Sequence, residues 1–388
     1  MIADLGFATL VLALVACAYS IIVYAVGIKN RSERALMSAR NALYGVVILV
    51  SLASVALLWG LLARDFSMEY VASYSSRATS TLYTIAGFWA GNGGSLLFWA
   101  LVLGICGLVL VLRHRKRNPD VIPYAAITIL ATEALFLVLM IFVQNPFKKL
   151  GFTAMDGQGL NPLLQNPGML FHPPLLLAGY AAVTIPFALV VAALFTKDMN
   201  ESWLGSMRKW TLICWLLLGV GNILGMQWAY VELGWGGYWA WDAVENAGFM
   251  PWLLLTALLH SLMIQRRRGS FKGWNMGLAG GSFFLAIFGT FLTRSNILSS
   301  VHTFGDSGME PYFLFFMTLG AVLFIALMIY RGPYLLTKGP AETFLSRETG
   351  FALNNLALVA ATLGVLLGTM SPFFSRIITG NTITVGPA

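Results

Sequence analysis

The stretch that decides the fold is G-S-L-L-F-W-A-L-V-L-G-I-C-G-L-V-L-V-L, at residues 94–112. It contains no charged residue, and it is close to the ~20 residues that a helix needs to cross the hydrocarbon core of a membrane. The sequence therefore predicts an all-α polytopic membrane protein, one transmembrane domain over residues 1–388 with about ten transmembrane helices. The apolar runs lie near residues 5–28, 41–63, 94–112, 121–143, 174–195, 210–229, 250–265, 276–293, 312–330 and 351–371.

The charge distribution supports this class and predicts a topology. Only 10% of the residues are charged, whereas about a quarter is usual in a soluble domain. The formal net charge is +8, but eighteen of the 24 Lys and Arg residues follow runs one, three, five, seven and nine. The positive-inside rule assigns such loops to the cytoplasm. We therefore expect both termini to face outward, with membrane lipid around the helices and no nucleic acid as a partner.

The three cysteines do not suggest redox chemistry. Cys17, Cys106 and Cys214 each lie inside an apolar run, and none belongs to a C-x-x-C pair. We expect them to be small residues of the core. The residues before Cys17 include Asp4 but no Lys or Arg, so a cleaved signal peptide is not indicated. The first run is predicted to be retained as a helix.

A second informative stretch, Trp228 to Trp252, holds five of the twelve tryptophans. Indole rings at this density suit either a membrane–water interface or the face of a planar ligand. Asp242 and Glu245 place two carboxylates among the rings. The spacing predicts a short interfacial helix or shelf on the outward side, weakened as a regular helix by Gly234, Gly236 and Gly237.

Two histidines share the outward side with this stretch. His172 precedes Pro173 and Pro174 and is expected at the outer mouth of the fifth helix, because proline fits the first turn. His302 comes from a third outward loop. Two imidazoles beside a flat aromatic surface suit a haem with two histidine ligands, and Arg294 could pair with a propionate. A zinc site is the weaker alternative, because no cysteine accompanies the histidines.

Three further polar residues receive separate predictions. His114 lies in R-H-R-K-R on the opposite side and is expected to be a solvated loop residue. His260 is about nine residues past Pro251, on the order of 14 Å into the bilayer. A buried imidazole there is either a ligand or proton relay, or a structural hydrogen-bonding group. Glu133 is a carboxylate within an apolar run, and its role stays open.

Several blocks together resemble a known family. The block W-G-G-Y-W-A-W-D-A-V-E-N-A-G-F-M-P-W at 235–252 resembles the tryptophan-rich signature of the haem-handling proteins of cytochrome c maturation, and closely that of the CcmF branch, the haem lyase subunit. Four flanking blocks agree in the same order: D-F-S-M-E-Y-V-A-S-Y-S at 65–75, G-S-L-L-F-W at 94–99, F-H-P-P-L-L-L-A-G-Y at 171–180 and G-T-F-L-T-R-S-N-I-L-S-S-V-H-T-F at 289–304.

The resemblance implies a catalyst of the bacterial inner membrane that joins haem vinyl groups to the thiols of a C-x-x-C-H motif in apocytochrome c. Haem would arrive on a periplasmic haem chaperone, and thioreductive maturation subunits would present the apocytochrome. The family pattern makes His172 and His302 the iron ligands of this substrate haem. It implies that residues 228–252 form a periplasmic haem-binding segment, whose surface includes Trp235, Trp239, Trp241 and Asp242.

The resemblance also implies a second haem, of b-type and bound non-covalently within the membrane. His260 matches one of its ligands. Members of this family normally continue beyond residue 388, and the other ligand would lie in that part. We therefore expect either a fragment or a split gene, in which a second polypeptide completes the site. The usual aspartate–proline of the signature is Asp242-Ala243 here.

Two other functions remain open at this point. A haem exporter would move haem across proteoliposomes, but relatives of that kind have fewer spans or carry the signature near the carboxyl end. A non-catalytic scaffold would hold the maturation partners without binding haem. Reconstitution with haem that gave no Soret band would favour the scaffold.

Overall fold

The computed structural model describes residues 1–197, 203–232, 237–295, 297–298, 300, 307–335 and 346–382. Within these ranges no β-strand occurs, and one isolated bridge joins Met68 to Lys149. The described helices are α1 Ile2–Asn30, α2 Glu33–Leu62, α3 Glu69–Tyr74, α4 Thr81–Ala90, α5 Asn92–His114, α6 Ile122–Phe142, α7 Gly168–Thr196, α8 Leu204–Glu232, α9 Ala243–Arg268, α10 Lys272–Thr293, α11 Glu310–Leu335 and α12 Arg347–Thr379.

Ten of the described helices are long and apolar enough to span a membrane, which confirms the predicted class. The two short helices, α3 and α4, lie between α2 and α5 and are too short to span a membrane. Instead, α4 packs against α2, α5 and α7 and buries Phe88 and Ala90. The buried side of α4 therefore belongs to the core at the tryptophan end of the bundle.

The alternation of the ten spanning helices defines two faces. We call the side that carries Met1 and residues 237–242 the tryptophan face, and the side that carries Arg266–Arg268 the basic face. The connections between α2 and α5, between α6 and α7, and between α10 and α11 all lie on the tryptophan face. The two groups of predicted site residues therefore lie at opposite ends of α9.

Helix α7 is the centre of the bundle. The apolar part of α7 is 72% buried, and the helix packs against α4, α5, α6, α8, α10 and α11. A helix that is apolar on every side belongs in the interior. By contrast, only 11% of the apolar part of α11, and of α12, is buried. Both lie at the edge of the bundle, and α12 packs mainly on α9.

Helix α7 begins earlier than the sequence indicated. Asn166 Oδ1 accepts a hydrogen bond from the backbone N–H of Gly168 at 2.7 Å, which starts the helix there. Pro173 consequently lies in the second turn, where its missing N–H leaves the Met169 carbonyl without its helical partner. The indole Nε1 of Trp89 donates to that carbonyl at 3.0 Å. His172 therefore lies in the second turn of α7, near the tryptophan face.

Helix α9 also starts before its predicted boundary, at Ala243 instead of near residue 250. Asp242 and Glu245 form a capping box, which satisfies the first backbone N–H groups. Position 243 is the first helical position, where proline and alanine are both tolerated. The change from aspartate–proline to Asp242-Ala243 therefore leaves this helix start intact.

The earlier start changes the reading of two segments. Helix α8 continues to Glu232, and the described residues 237–242 are not helical, so they contain no separate interfacial helix.

His260 lies seventeen residues after Ala243 and eight before Arg268. At 1.5 Å per residue, it is about 26 Å from one end of α9 and about 12 Å from the other. His260 therefore lies nearer to the basic end of α9 than to the middle of the helix.

Candidate functional site: an aromatic cavity at the tryptophan face

A cavity of about 360 Å³ opens at the tryptophan face, between α4, α7, α8, α9 and α10. Its volume lies within the usual range for small-molecule and cofactor sites. It brings together three of the predicted residues, His172, Trp239 and Arg294. Its walls include Trp89, Leu163, Leu164, Met169, His172, Leu176, Tyr180, Asn222, Gly225, Met226, Trp228, Trp239, Glu245, Thr293 and Arg294.

The imidazole of His172 is fixed by contacts with α8. Its Nδ1 lies 2.7 Å from the backbone carbonyl of Gly221. Because a carbonyl only accepts, Nδ1 carries the proton and the lone pair is on Nε2, the arrangement found in metal-binding histidines. A Cβ at Gly225 would lie 2.6 Å from His172 Cε1, so glycine permits this close approach. The Trp228 ring packs edge-on at 5.8 Å.

The aromatic wall continues from the cavity into the bundle. Trp239 contacts Phe249 edge-on, with ring centroids 5.7 Å apart. Phe249 stacks on Trp252 at 6.0 Å, and Trp252 stacks on Trp215 at 5.6 Å. These rings join the tryptophan segment to α8 and α9. The cavity wall is therefore anchored to spanning helices on both sides.

Arg294 is the cationic group of the cavity, and it is only 2% exposed. Its Nη2 donates to Ser95 Oγ at 2.6 Å and its Nη1 donates to Thr293 Oγ1 at 3.0 Å. Burial lowers the pKa of Arg294 to about 10, so the guanidinium stays charged at neutral pH. The side chain is held in one position at the cavity wall, as a bidentate anion contact requires.

Asp242 and Trp241 have mainly structural contacts among the described residues. Asp242 Oδ2 accepts from Val244 N at 3.1 Å and from Ser300 Oγ at 2.7 Å. Trp241 is 53% exposed and has a left-handed φ of 58°. Among the described rings it contacts Trp239, a residue of the cavity wall, whose ring lies 6.2 Å away in an edge-to-face contact.

Asn246 links this segment to α12. Its Nδ2 donates to the Trp241 carbonyl at 2.9 Å and to Thr369 Oγ1 at 2.9 Å. The residue is 3% exposed. Among the described residues, the Asn246 side chain therefore connects Trp241, with its left-handed backbone, to α12.

Trp235 and His302 lie outside the described residues, so their predicted roles are untested. The described residues on either side of segment 301–306 are Ser300 and Ser307. Ser300 bonds to Asp242, and Ser307 Oγ donates to the Arg294 carbonyl at 2.5 Å. Gln144 Nε2 donates to the Ser307 carbonyl at 2.8 Å. Both flanking residues thus contact parts of the site.

His260 belongs to a separate groove on the basic face, lined also by Arg267, Arg268, Arg347 and residues of α12. Its Nδ1 lies 2.9 Å from the Thr256 carbonyl, one turn earlier in α9. The chain thus brings His172 and Arg294 together at one end of the bundle and leaves His260 at the other.

The remaining predictions concern residues away from both sites. His114 is not a loop residue: it ends α5, and its Nε2 lies 3.1 Å from Ser206 Oγ. Cys17 and Cys214 are buried, as predicted, and Cys106 is half-buried. Glu133 is 1% exposed within α6. In the described ranges, no three His, Cys, Asp or Glu residues come together as a metal site, so nothing there favours zinc.

Orphaned indole groups test whether haem suits the cavity. Trp228 Nε1 and Trp239 Nε1 are buried in the cavity wall and have no hydrogen-bond partner among the described residues. A buried donor without a partner costs about 1–3 kcal/mol. A ligand with carboxylates and a flat apolar body would satisfy these donors and cover the rings. The residues present therefore fit a haem.

Sequence reasoning missed three residues of the site. Trp89 received no role from the sequence, although its indole donates to the Met169 carbonyl of α7 and the ring lines the cavity. Tyr180 lies two turns beyond His172 on the same face of α7, a spacing that could have indicated it. Gly225 carries no sequence signal, because its role depends on where α7 packs.

Comparison with known families supports a common architecture. The family model for cytochrome C assembly protein matches residues 89–299, more than half of the chain. The matched region begins at Trp89 and covers α5 to α10. It contains nearly all of the cavity lining and ends within the segment that follows Arg294.

Similar proteins extend the match to the whole chain. A cytochrome c-type biogenesis protein CcmF from Pseudomonas aeruginosa is 40% identical over 390 residues, covering 100% of this chain and 59% of the relative. The CcmF protein of Escherichia coli is 37% identical over 362 residues, covering 93% and 56%. A solved structure named "Cytochrome c Heme Lyase CcmF" has a TM-score of 0.81 and 30% identity, covering 97% and 57%. The chain spans less than two thirds of these relatives.

Proposed function

Because the chain belongs to the cytochrome c assembly protein family, in its CcmF branch, we propose that it acts as a haem lyase subunit of cytochrome c-type biogenesis. It positions haem for thioether attachment to the C-x-x-C-H motif of an apocytochrome c. The observation that carries the proposal is a single cavity lined both by His172, which α8 fixes, and by the buried Arg294. This arrangement provides an iron ligand, a propionate partner and aromatic walls in one place.

The reaction itself needs little from the protein besides position. Haem supplies the vinyl groups, and each cysteine S–H adds across a vinyl double bond, so a C–S and a C–H bond form with no net change in electrons. Holding a vinyl group beside a thiol in one orientation converts a reaction between separate molecules into a step within one complex. Trp228 and Trp239 would provide apolar surface for the haem, and Arg294 would pair with a propionate.

The iron ligands of the substrate haem are His172 and His302. Trp235, Trp239 and Trp241 contribute to the aromatic surface of segment 228–252, and Asp242 acts through the helix start that it caps. His260 is one ligand of a second, b-type haem, bound non-covalently in the membrane.

The setting is the bacterial inner membrane, which the chain crosses several times. The tryptophan face is periplasmic, so the amino terminus lies outside. Haem arrives there on a haem chaperone, and thioreductive maturation subunits present the apocytochrome. The fixed ring of His172 and the charge of Arg294 provide the two contacts by which the site accepts a delivered haem.

Replacing the fixed imidazole tests this function. We expect His172→Ala and His302→Ala each to reduce cytochrome c maturation at least 100-fold, because outer contacts of a metal ligand alone account for 10–100-fold. The measurement is covalent haem staining of a co-expressed cytochrome c, with membrane levels of the variant as reference. His114→Ala is the matched control, since that histidine lies on the basic face. Normal maturation in both test variants would exclude the proposed function.

A further inference from the structure

A second pocket of about 280 Å³ opens at the basic face, apart from the groove. It lies where four helix ends meet, namely the C-terminal ends of α1 and α5 and the N-terminal ends of α2 and α6. Each of these helices packs against two of the others, so the four form a closed ring. None of the described residues that line this four-helix pocket also lines the cavity or the groove.

The hairpin of α1 and α2 forms one wall of the four-helix pocket. Only Arg31 and Ser32 separate the two helices, and the left-handed backbone of Arg31, with a φ of 51°, ends α1. Further into the bundle, Ser20 Oγ of α1 donates to the Ala39 carbonyl of α2 at 2.7 Å. The hairpin is thus held both at its tip and inside the bundle. Because Arg40 follows Ala39 directly, its backbone is fixed at the pocket wall.

Two arginines from different parts of the chain bring positive charge to the pocket, Arg40 of α2 and Arg115 after α5. Arg115 Nη1 lies 3.5 Å from the Tyr44 hydroxyl, which is longer than a usual hydrogen bond. Arg40 Nε is buried and has no hydrogen-bond partner among the described residues. In the ranges that the structure describes, neither guanidinium forms an ion pair. Because a buried donor without a partner is costly, this arrangement suits an anion from outside the chain.

One carboxylate also lines the pocket, that of Glu33 in the first turn of α2. Its side chain is exposed, and it lies seven residues before Arg40, about 10 Å along the helix. The N-terminal turns of α2 and α6 carry a partial positive charge at the same end of the bundle. Two arginines and two helix ends therefore outweigh one exposed carboxylate, and the pocket favours an anion.

Much of the remaining lining is apolar, including Leu36 and Met37 of α2. Met37 is 47% exposed, so the pocket opens beside it onto the outer surface of the bundle. Helix α1 also exposes Ile22 and Val26 within its last three turns. In helices that span a membrane, such side chains contact acyl chains. The pocket thus combines cationic groups with an apolar surface that continues toward lipid.

We propose that the four-helix pocket binds the phosphate of an anionic phospholipid between Arg40 and Arg115. Basic pockets between membrane helices bind such head groups, and the planar donors of guanidinium groups match phosphate oxygens. A free phosphate has the same chemistry, but it would leave Leu36 and the other apolar lining uncovered. The lipid places its acyl chains along this lining and the outer surface of α1 and α2. The proposal does not depend on the haem lyase function.

Two lipids with the same acyl chains test this site, because phosphatidylglycerol is anionic and phosphatidylcholine carries no net charge. The full chain, freed of lipid in a non-ionic detergent, is titrated with each, and native mass spectrometry counts the bound molecules. We expect one saturable site for phosphatidylglycerol that phosphatidylcholine does not fill. Arg40→Gln and Arg115→Gln should each weaken it about tenfold, the usual value of a charge-assisted hydrogen bond. Arg40→Lys keeps the charge and should lose less than Arg40→Gln.

Arg34→Gln and Arg113→Gln are the matched controls. Both arginines are exposed on the same two helices at the basic face, but neither lines the pocket. Both variants should bind phosphatidylglycerol as the parent does. Far-UV circular dichroism and a titration with haemin, followed at the Soret band, should be unchanged in all five variants. Because Arg40 and Arg115 are replaced separately, either variant alone can test the site if the other fails to fold.

Four results would overturn the proposal. The first two are equal affinity of the parent for both lipids, and unchanged phosphatidylglycerol affinity in both Arg40→Gln and Arg115→Gln. The third is an equal loss in the two control variants, since the general charge of the basic face would then account for binding. The fourth is displacement of phosphatidylglycerol by an excess of inorganic phosphate, which would assign the pocket to a soluble anion.

Discussion

The cavity and the groove lie at opposite ends of α9, and they differ in how much of the fold builds them. Five helices and the α6–α7 connection enclose the cavity, and its arginine is 2% exposed. Two helices form the groove, and its arginines are exposed. An enclosed site can select a ligand by shape, whereas an open one relies on charge and on a single strong ligand.

The two histidines show the same difference at the level of one hydrogen bond. His172 donates to Gly221, which is 49 residues away on another helix. His260 donates to Thr256, four residues earlier on its own helix. The orientation of His172 therefore depends on the packing of α7 on α8, while that of His260 needs only an intact α9. Changes in packing should affect the first site and leave the second unaffected.

The largest expected effect comes from Gly225→Ala. The added Cβ would lie 2.6 Å from His172 Cε1, so the ring must turn away from the Gly221 carbonyl. Loss of the group that orients a metal ligand typically costs 10–100-fold in affinity or activity. We expect a reduction of this size in haem binding at the cavity and in maturation. The Soret titration in a His260→Ala background measures the cavity alone.

Gly277→Ala is the control for this substitution, because Gly277 is also helical and has open space around its Cβ position. It should behave as the parent in both measurements. In a His172→Ala background, Gly225→Ala should leave haem binding at the groove unchanged. Equal damage to both sites would mean that they are not independent.

A smaller effect is expected from Asn246→Ala, which removes the link between the cavity and α12. The substitution leaves the Trp241 carbonyl and the Thr369 hydroxyl without this donor. Unmade buried hydrogen bonds cost about 1–3 kcal/mol. Because Asn246 Oδ1 is itself buried without a partner among the described residues, the expected loss in unfolding free energy is at the lower limit, about 1 kcal/mol. Thermal unfolding in detergent measures it.

Thr369→Val separates the two bonds of Asn246. It keeps the bond to Trp241 and removes only the bond to α12, so it should cost less than Asn246→Ala. Haem binding at the groove should be the same in both variants if α9 and α12 are held together there by their other contacts. A groove that weakens with Asn246→Ala would show that the cavity end controls the pairing of α9 with α12.

The sequence predicts the spanning helices well because hydrophobic length is a local property. All ten runs are helices, and their charges mark alternating ends. The boundaries of α7 and α9 were wrong by several residues, because Asn166 and Asp242 begin these helices through side-chain bonds. The side-chain hydrogen bonds of an Asx turn or a capping box determine where a helix begins, even where the hydrophobic run begins several residues later.

The cavity could be predicted only in part. His172, Trp239 and Arg294 can be selected from their side-chain chemistry, and all three line one cavity. Trp89 and Gly225 act through positions that only the packing of α4, α7 and α8 creates. The sequence singles out His260, but it does not predict the groove around it, since Arg347 is far from His260 in sequence.

The smallest expected effect concerns the connection between α6 and α7, which covers the cavity. Hydrogen bonds from the backbone N–H groups of Arg77, at 2.8 Å, and Gly157, at 2.7 Å, lower the pKa of Asp156 below its ordinary value of 3.8. A lowered carboxylate pKa stabilises the fold above the ordinary value, and this contribution is lost as the pH falls through the lowered one. Because Asp156 is fully exposed, the change should be slight.

Hydrogen exchange of the Arg77 and Gly157 amides, corrected for the intrinsic pH dependence, measures this local contribution. Exchange should accelerate below pH 3.8 in the parent, and Asp156→Asn should remove the pH dependence. Asp120→Asn, on the basic face, is the control and should follow the parent. Acid could also weaken haemin binding at the groove as strongly as it accelerates exchange of these two amides. The effect of pH would then not be confined to the cavity end of α9. The contrast between an enclosed and an open site would then need another cause.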